Sequence, residues 1–509
     1  MKTLFAIIIG LICVFGQSIS AQNNQPPKTL TLAQQQEDFK IFRGSLNEIH
    51  VGLNWFITEK ELNDLFDKTY NSLTENTPTE DYYLKLRLIM ASLRHGHNGI
   101  TLPQENGVNY RLSALAKSKK FLPFAIRILN NRVFVAVNTS ANEKLTTGTE
   151  IVSINGESIG KIIEKQLPLM FSNGQNVSFK VGNLEGYYQF HYLYEMMNRG
   201  VERFKIEAIP YNSKKKQTFE VEGELPQTIS EKYEKITGKG ISKYENLLQY
   251  RVVDEKNKIA YLKIGSFYSG LAKDYKQFLD KTFTAIKSLG IKHLIVDVRQ
   301  NEGGGDGFWQ MAYTYTTGNS LTEGDGLLSV RGDKFSFFKY VENPSLELMA
   351  FANNPYAVID KTADGRFRLK PQFKSQDDAV NYPAPPNAFS GKLYVLADGM
   401  TFSAGTAYVS TVRYELLKKS QFVKFIGVEP GDDFNAGVGS SGTSATIVLP
   451  NSKIKANIPL LGGGDVPYSS KEKIVIPDYK VIPTAKDLVS GADVELNFTG
   501  DLIKKKFLK

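Results

Sequence analysis

The first 100 residues contain three stretches with a helical pattern of apolar positions. Apolar residues recur at spacings of three and four within 35–53, 58–73 and 80–97, which is typical of amphipathic helices. Thr58 followed by Glu61 matches a capping box at the start of the second stretch. The pattern predicts a small helical domain over 28–115.

Between 118 and 225 the pattern changes to short β-rich runs separated by turn residues, such as "RVFVAV" and "TFEVEG". A β-branched run ends at Asn155-Gly156, a strong turn signal, and an amphipathic helix follows. This order, with the run "GTEIVSING" at 148–156, resembles a PDZ domain. A PDZ-like module would add a peptide strand to a sheet edge.

From about residue 254 the pattern predicts an α/β core that extends to 498. Buried strands are expected at 259–267 and 293–298, with a helix between them that ends at Gly290. Its apolar face consists of Tyr275, Phe278, Leu279, Phe283, Ile286 and Leu289. This is a βαβ unit, so parallel strands are expected. A charged connector at 226–253 precedes the core, and a less regular insertion at about 320–388 interrupts it.

The N-terminal residues 1–21 have the layout of a secretory signal peptide, with Lys2, an apolar run and small residues up to Ala21. Export to the periplasm or the cell exterior is therefore expected. The single cysteine, Cys13, lies inside this segment, so neither a disulfide nor a thiol nucleophile is expected. No later run is long and apolar enough to predict a membrane span.

The chain carries a formal net charge of +9. Its lysines are scattered apart from 214–216 and the C-terminal tail, and no arginine is interleaved with either cluster. Solvated loops are therefore favoured over a nucleic-acid surface.

Ser403 lies between the apolar strand "KLYVLAD" and a helix-like run. It could be the helix N-cap, which serine favours, or a nucleophile at a helix N-terminus. In the second interpretation, the N–H of Ala404 would stabilise an oxyanion. A glycine run follows the other strand end, so Gly303 or Gly304 could supply a second N–H.

A serine nucleophile needs a base. The sequence has five histidines, and His95 and His97 lie in the glycine-flanked turn "RHGHNG" after the last predicted helix. Their spacing, with no third ligand nearby, does not favour a metal site. Packing roles are expected for His50 and His293.

The parts together resemble peptidase family S41, the tail-specific or C-terminal-processing serine peptidases, and within it the branch similar to the tricorn core and the retinoid-binding-protein repeats. The resemblance covers nearly the whole chain after residue 21. It rests on the ordered segments "LRHGHNGI" (93–100), the PDZ-like run, "IAYLKIGSF" (259–267), "DVRQNEGG" (297–304), "TFSA" (401–404), "LPN" (449–451) and "IPDYKVIPT" (476–484).

The resemblance implies a crotonase-like or ClpP-like α/β catalytic core, a polypeptide substrate and no cofactor or metal. It implies that Ser403 is the nucleophile, with Ala404 and one of Gly303 or Gly304 as the oxyanion hole. The segment where processing peptidases carry a lysine base has none here, so the resemblance assigns the base to His97. Glu472 or Glu429 would orient its imidazole.

Two further interpretations stay open from the sequence. One is a non-catalytic polypeptide- or lipid-binding protein on the same scaffold. The other is an esterase or lipase that uses the same serine and histidine. A hydrogen-bond distance between Ser403 and His97 would favour catalysis over binding alone. The sequence predicts no oligomeric state.

Overall fold

The structure, a computed structural model, describes residues 27–103, 119–186, 189–238, 247–268, 270, 272–322, 329–363, 365–373, 381–432, 444–462 and 475–507. These residues form a mixed α/β protein with several sheets. None of the helices in this part of the chain is both long and apolar enough to cross a membrane.

In chain order, the elements before residue 239 are β1 (Thr29–Leu30), α1 (Leu32–Ile49), α2 (Glu59–Asn71), β2 (Thr77–Pro78), α3 (Thr79–Ser92), β3 (Gly99–Thr101), β4 (Phe124–Leu129), β5 (Arg132–Asn138), β6 (Glu150–Ile154), β7 (Glu157–Ser158), α4 (Ile159–Gln166), α5 (Ser178–Glu185), α6 (Gln189–Met197), β8 (Arg203–Ile209), β9 (Gln217–Glu222) and α7 (Pro226–Thr237).

From residue 247 the elements are β10 (Leu248–Asp254), β11 (Ile259–Ile264), α8 (Ala272–Ser288), β12 (His293–Asp297), α9 (Asp306–Thr317), β13 (Leu321–Thr322), β14 (Ser329–Val330), α10 (Leu346–Asn353), α11 (Pro355–Val358), β15 (Ile359–Lys361), β16 (Phe367–Leu369), β17 (Asn381–Tyr382), β18 (Lys392–Ala397), α12 (Ala404–Lys418), β19 (Val423–Gly427), β20 (Ser444–Val448), β21 (Lys455–Pro459), β22 (Tyr479–Lys480), α13 (Ala485–Ser490) and α14 (Val494–Leu502).

The three predicted N-terminal helices are present as α1, α2 and α3. Thr58 and Glu61 form the expected capping box, with each side chain accepting the other residue's backbone N–H. This part of the chain is not only helical, however, because β3 pairs with β21 in the sheet β20-β21-β3. A C-terminal hairpin therefore completes the N-terminal region, and sequence spacing alone could not indicate that pairing.

The predicted β-rich region forms an antiparallel sheet of order β4-β5-β6-β8-β9, with β7 paired to β6. Asn155 and Gly156 make the tight β6–β7 turn with φ angles of 50° and 83°. The sheet shares one continuous hydrophobic core with the N-terminal helices. Its relationship to PDZ domains stays a prediction.

The C-terminal sheet has the order β10-β11-β12-β18-β19-β22. β11, β12, β18, β19 and β22 pair in parallel, and β10 is an antiparallel edge strand. This confirms the expected parallel arrangement around α8. Apolar residues of α8, α9 and α12 cover one face, whereas Leu496 and Ile503 pack on the other.

The predicted face of α8 is largely correct. Tyr275, Leu279, Phe283 and Ile286 are buried, and Phe278 is partly buried against them. Leu289 is 46% exposed because α8 ends at Ser288 and the chain turns away there.

The expected connector at 226–253 needs correction. It contains α7, whose Ile229 is buried in the N-terminal core, and β10, which is a strand of the C-terminal sheet. The insertion at about 320–388 has short helices and small sheets of its own, β13-β17 and β14-β16-β15.

Candidate active site

Three loops meet at the carboxyl edge of the parallel sheet. They follow β12, β18 and β19, whose ends lie in register through the pairs Asp297–Leu396 and Ala397–Gly427. Ligands of open parallel sheets bind at this edge. The first loop contains the glycine run, the second contains Ser403, and the third contains Asp432.

Ser403 occupies the N-cap position of α12, but its side chain makes no capping hydrogen bond. Its hydroxyl oxygen instead lies 3.1 Å from Nε2 of His97. The backbone of Ser403 has φ 52° and ψ −125°, a strained conformation for a residue other than glycine. Ser403 therefore lies at the start of α12 without capping it through its side chain, and its hydroxyl lies within hydrogen-bond distance of His97.

His97 lies in the turn between α3 and β3, and the pairing of Gly99–Thr101 with β21 holds the chain just after it. The His97 ring also packs on the ring of Phe402, with centroids 4.8 Å apart. Burial lowers the pKa of His97 to about 4, so the imidazole is neutral at pH 7. Its Nδ1 is buried and has no hydrogen-bond partner among the described residues.

The two predicted glycines have different roles. The N–H of Gly303 donates to Oδ1 of Asn301 at 2.9 Å. Gly304 forms a parallel bridge with Phe267, in which the hydrogen bonds use the N–H groups of Phe267 and Gly305. The N–H groups of Gly304 and Ala404 make no hydrogen bond within the part of the chain that the structure describes.

Glycine is required at position 303 because of the close approach of the Ser403 loop. With φ at 102°, a Cβ there would lie 2.8 Å from Cβ of Ser403 and 2.9 Å from the backbone N of Ala404. The glycine run thus lies directly against the start of α12. The N–H groups of Gly304, in the glycine run, and of Ala404, at the start of α12, make no hydrogen bond among the described residues.

Asn301 fixes the shape of the glycine loop. It is fully buried, and its side chain accepts from Gly303 and donates to the carbonyl of Ile264 at 2.9 Å. Its own carbonyl accepts from the N–H of Phe402 at 2.9 Å. One residue therefore connects β11, the glycine loop and the serine loop.

The two acidic candidates for orienting His97 have different outcomes. Glu429 does not do so in this structure, because Nδ1 of His97 has no hydrogen-bond partner among the described residues, and the Glu429 carboxylate lies 3.5 Å from Nζ of Lys480. Glu472 lies outside the described residues and stays a prediction.

The other histidines have structural partners. Nε2 of His95 lies 2.6 Å from the carbonyl of Gly52, and Nε2 of His50 lies 2.9 Å from Oδ1 of Asn98. His191 donates to the carbonyl of Phe124, and His293 contacts the Tyr394 hydroxyl. Within the described ranges, no three His, Cys, Asp or Glu side chains group as metal ligands.

Sequence reasoning missed two buried residues beside Ser403 and His97. Asp432 accepts the N–H of Ser403 at 3.2 Å, and Asn173 hydrogen-bonds both to Asp432 and to the N–H of Gly96. "GDD" at 431–433 is the only hint of Asp432 in the sequence, and nothing in the sequence around Asn173 indicates its place.

Comparisons with known proteins give one family match. The sequence model of Peptidase family S41 matches residues 258–433, which include the glycine loop, Ser403 and Asp432. No curated protein sequence is significantly similar to the chain.

Solved structures of similar fold include mature CPAF complexed with lactacystin, which is 13% identical with a TM-score of 0.60 over 93% of this chain and 98% of that one. Mature CPAF alone gives 13% identity and a TM-score of 0.59 over 93% and 97%. At this identity the likeness concerns the fold. The photosystem II D1 C-terminal processing protease is 14% identical over 88% of this chain and 93% of that one, with a TM-score of 0.38, too low to support a structural argument.

The family match covers the loops on which Ser403, Gly304 and Asp432 are placed, and the fold over nearly the whole chain is similar to that of mature CPAF. Residues 258–433 are therefore identified as a serine-type peptidase domain of family S41.

Proposed function

We propose that this protein is an exported endopeptidase that cleaves polypeptides through an acyl-enzyme on Ser403, with His97 as the general base. The observation that carries the proposal is the 3.1 Å distance between the Ser403 hydroxyl and Nε2 of His97. A neutral imidazole at this distance can take the hydroxyl proton as the oxygen attacks a carbonyl.

The N–H groups of Ala404 and Gly304 are the proposed oxyanion donors. The first is at the N-terminus of α12, where the helix dipole also favours negative charge. The N–H of Gly303 is not proposed as an oxyanion donor, because it already donates to Oδ1 of Asn301. This choice between the two glycines is an addition to what the sequence could predict.

In the proposed cycle, Ser403 attacks the peptide carbonyl and His97 takes its proton. The imidazolium then gives that proton to the leaving amine. A water molecule, activated by the same imidazole, hydrolyses the acyl-enzyme and restores the serine. The chemistry uses these side chains and backbone groups alone, without a metal or an organic cofactor.

The substrate class is proposed as an extended polypeptide outside the cytoplasm. The signal-peptide pattern of residues 1–21 supports export. The antiparallel sheet β4-β5-β6-β8-β9 offers edge strands to which an extended chain could be added.

The test is the cleavage of an unstructured protein, followed by mass spectrometry of the fragments. Ser403→Ala should lower kcat by roughly 10⁴-fold or more and leave the melting temperature unchanged. Ser410→Ala is the matched control, because Ser410 is buried on the same helix and its hydroxyl has no partner among the described residues. Equal cleavage by wild type and Ser403→Ala would refute the assignment.

A further inference from the structure

A chain of hydrogen bonds joins the turn before His97 to the backbone of Ser403. The N–H of Gly96 donates to Oδ1 of Asn173 at 2.5 Å, and Nδ2 of Asn173 donates to Oδ1 of Asp432. The N–H of Ser403 donates to Oδ2 of the same carboxylate at 3.2 Å. Asn173 is 1% exposed and Asp432 is 6% exposed, so water competes little for these bonds.

The carboxylate of Asp432 meets the backbone of Ser403 where that backbone is strained. A φ of 52° is energetically unfavourable for a serine and persists only when the surroundings hold it. A hydrogen bond to a charged acceptor is stronger than one to a neutral acceptor. Asp432 is therefore well suited to hold Ser403 in the conformation that directs its hydroxyl to His97.

Asn173 connects two groups that need opposite partners. The N–H of Gly96 requires an acceptor, and the carboxylate of Asp432 requires a donor. An amide side chain offers one of each, whereas a carboxylate has no N–H and would face a second negative charge. The side-chain amide therefore satisfies both partners in only one orientation.

The segment that carries Asn173 is anchored independently. Nδ2 of Asn176 donates to the carbonyl of Pro430 at 2.5 Å, and the Ser178 hydroxyl donates to the carbonyl of Glu429 at 2.9 Å. The ring of Phe179 stacks on that of Phe402 with centroids 4.2 Å apart. The segment 173–179 is thus fixed to both the serine loop and the loop after β19.

We propose that Asn173 and Asp432 are positioning residues that set the distance between His97 and Ser403. They act through the backbone of Gly96 and Ser403 and do not touch the reacting atoms. The inference rests on the proposed function. It predicts that loss of the bridge lowers kcat while KM changes little, because small misplacements of reacting groups slow chemistry steeply.

The test exchanges the two side chains. In Asp432→Asn, the new amide has one oxygen but faces two donors, the side chain of Asn173 and the N–H of Ser403. In Asn173→Asp, the new carboxylate lies against the carboxylate of Asp432. The double variant Asn173→Asp with Asp432→Asn restores the series of hydrogen bonds. The carboxylate at position 173 accepts from the N–H of Gly96 and from the side-chain amide at position 432. The oxygen of that amide accepts from the N–H of Ser403. Each single variant should lose kcat by about 10- to 100-fold, and the double variant should recover most of it.

Asn183→Asp is the matched control, since Asn183 lies nearby on α5 and its side chain donates to the carbonyl of Phe179 within its own helix. It should retain wild-type kcat. Circular dichroism and thermal melting show whether each variant is folded. If a single variant fails to fold, the kcat of the double variant is compared with that of wild type, and recovery of most of the wild-type value supports the proposal.

Folded single variants with wild-type kcat would overturn the inference. So would a double variant that is unfolded, or no more active than the product of the two single effects. These outcomes differ from failure of the proposed function, in which Ser403→Ala itself would retain activity.

Discussion

Ser403 has its functional geometry because its backbone is unusual. With φ at 52° and ψ at −125°, its carbonyl still accepts from the N–H of Ala407 and so begins α12. Its hydroxyl makes no capping hydrogen bond, and the N–H of Ala404 makes none within the described part of the chain. A serine with ordinary capping geometry would engage its hydroxyl with the first turn of the helix.

Replacement of Gly303 by alanine tests how closely the two loops must approach. The new Cβ would lie within 3 Å of Cβ of Ser403 and of the N of Ala404, at a φ of 102°. We expect kcat to fall by roughly 10²-fold or more, as when an oxyanion donor is lost. Gly160→Ala is the control, because a Cβ there meets nothing within 4 Å. Wild-type kcat in Gly303→Ala would contradict the described loop contact.

The pH profile reports the state of His97. Burial lowers its pKa to about 4, so the base is neutral above that pH and becomes protonated below it. The value of kcat/KM should therefore be level above about pH 5 and fall on the acid side with a midpoint near 4. Short assays, followed by return to pH 7, separate this effect from unfolding.

A midpoint at 6.5 or higher would contradict that expectation and indicate an anion at Nδ1 of His97. Comparison of Glu472→Gln with Glu429→Gln would then identify it. Only the variant that removes the anion should shift the midpoint down.

At the residue scale the sequence predicts much of the site. Ser403, His97, Ala404 and the glycine pair follow from motifs, and the structure brings them together. Asn173 and Asp432 could not be predicted, since they are 259 positions apart and belong to no motif. The proposal of Gly304 and not Gly303 as an oxyanion donor depends on the hydrogen bond from Gly303 to Asn301, which the sequence does not indicate.

Arg299 connects the end of β12 to the C-terminal helix α14. Its guanidinium bonds to the carboxylate of Asp297, to both oxygens of Asp493 at 2.8 Å and to Glu495 at 3.0 Å. The side chain is 15% exposed. One cation therefore compensates three carboxylates, next to the loop that carries the glycines.

Arg299→Met should destabilise the protein by about 3–5 kcal/mol, because it leaves buried carboxylates without a counter-charge. Urea denaturation followed by circular dichroism measures this change. Arg203→Met is the control, since Arg203 pairs with Glu222 on the exposed surface and should change stability little. Equal midpoints for the two variants would show that Arg299 does not hold α14.

The periodicity of apolar residues predicts the main helices and the parallel strands of the C-terminal sheet. It failed where long-range pairing decides the outcome. β3 is too short to have a pattern of its own and exists because β21 pairs with it. β10 also depends on pairing with a neighbouring strand, β11, and it lies in the segment predicted as a connector.

The fold brings together His97 and Ser403, the proposed base and nucleophile, which lie 306 positions apart. The N-terminal helices share a core with the antiparallel sheet and the β20–β21 hairpin. Asp38 on α1 also accepts the backbone N–H groups of Asn451 and Ser452 in the turn of that hairpin. Formation of the site thus requires correct packing of the N-terminal and C-terminal regions.

Global stability should fall as the pH is lowered from about 6.5 to 4. Burial lowers the pKa of His50 and His191 to about 4 and that of His95 well below its ordinary value. The unfolded chain therefore binds more protons in this range, and stability rises with pH. His50 and His191 should each account for a loss of stability on the order of 3 kcal/mol over this pH range.

His191→Gln isolates one contribution, because glutamine can keep a bond to the carbonyl of Phe124 without titrating. Urea denaturation at several pH values should give a shallower loss of stability in this variant than in wild type. Parallel pH dependences for the two proteins would refute the burial argument.

The central claim is that Ser403 is activated by His97. Labelling with a fluorophosphonate probe, followed by peptide mapping of the adduct, tests it most directly in wild type, Ser403→Ala and His97→Ala. We expect a single adduct on Ser403 in wild type, and none in either folded variant on the same timescale. An adduct elsewhere, or undiminished labelling of Ser403 in His97→Ala, would contradict it.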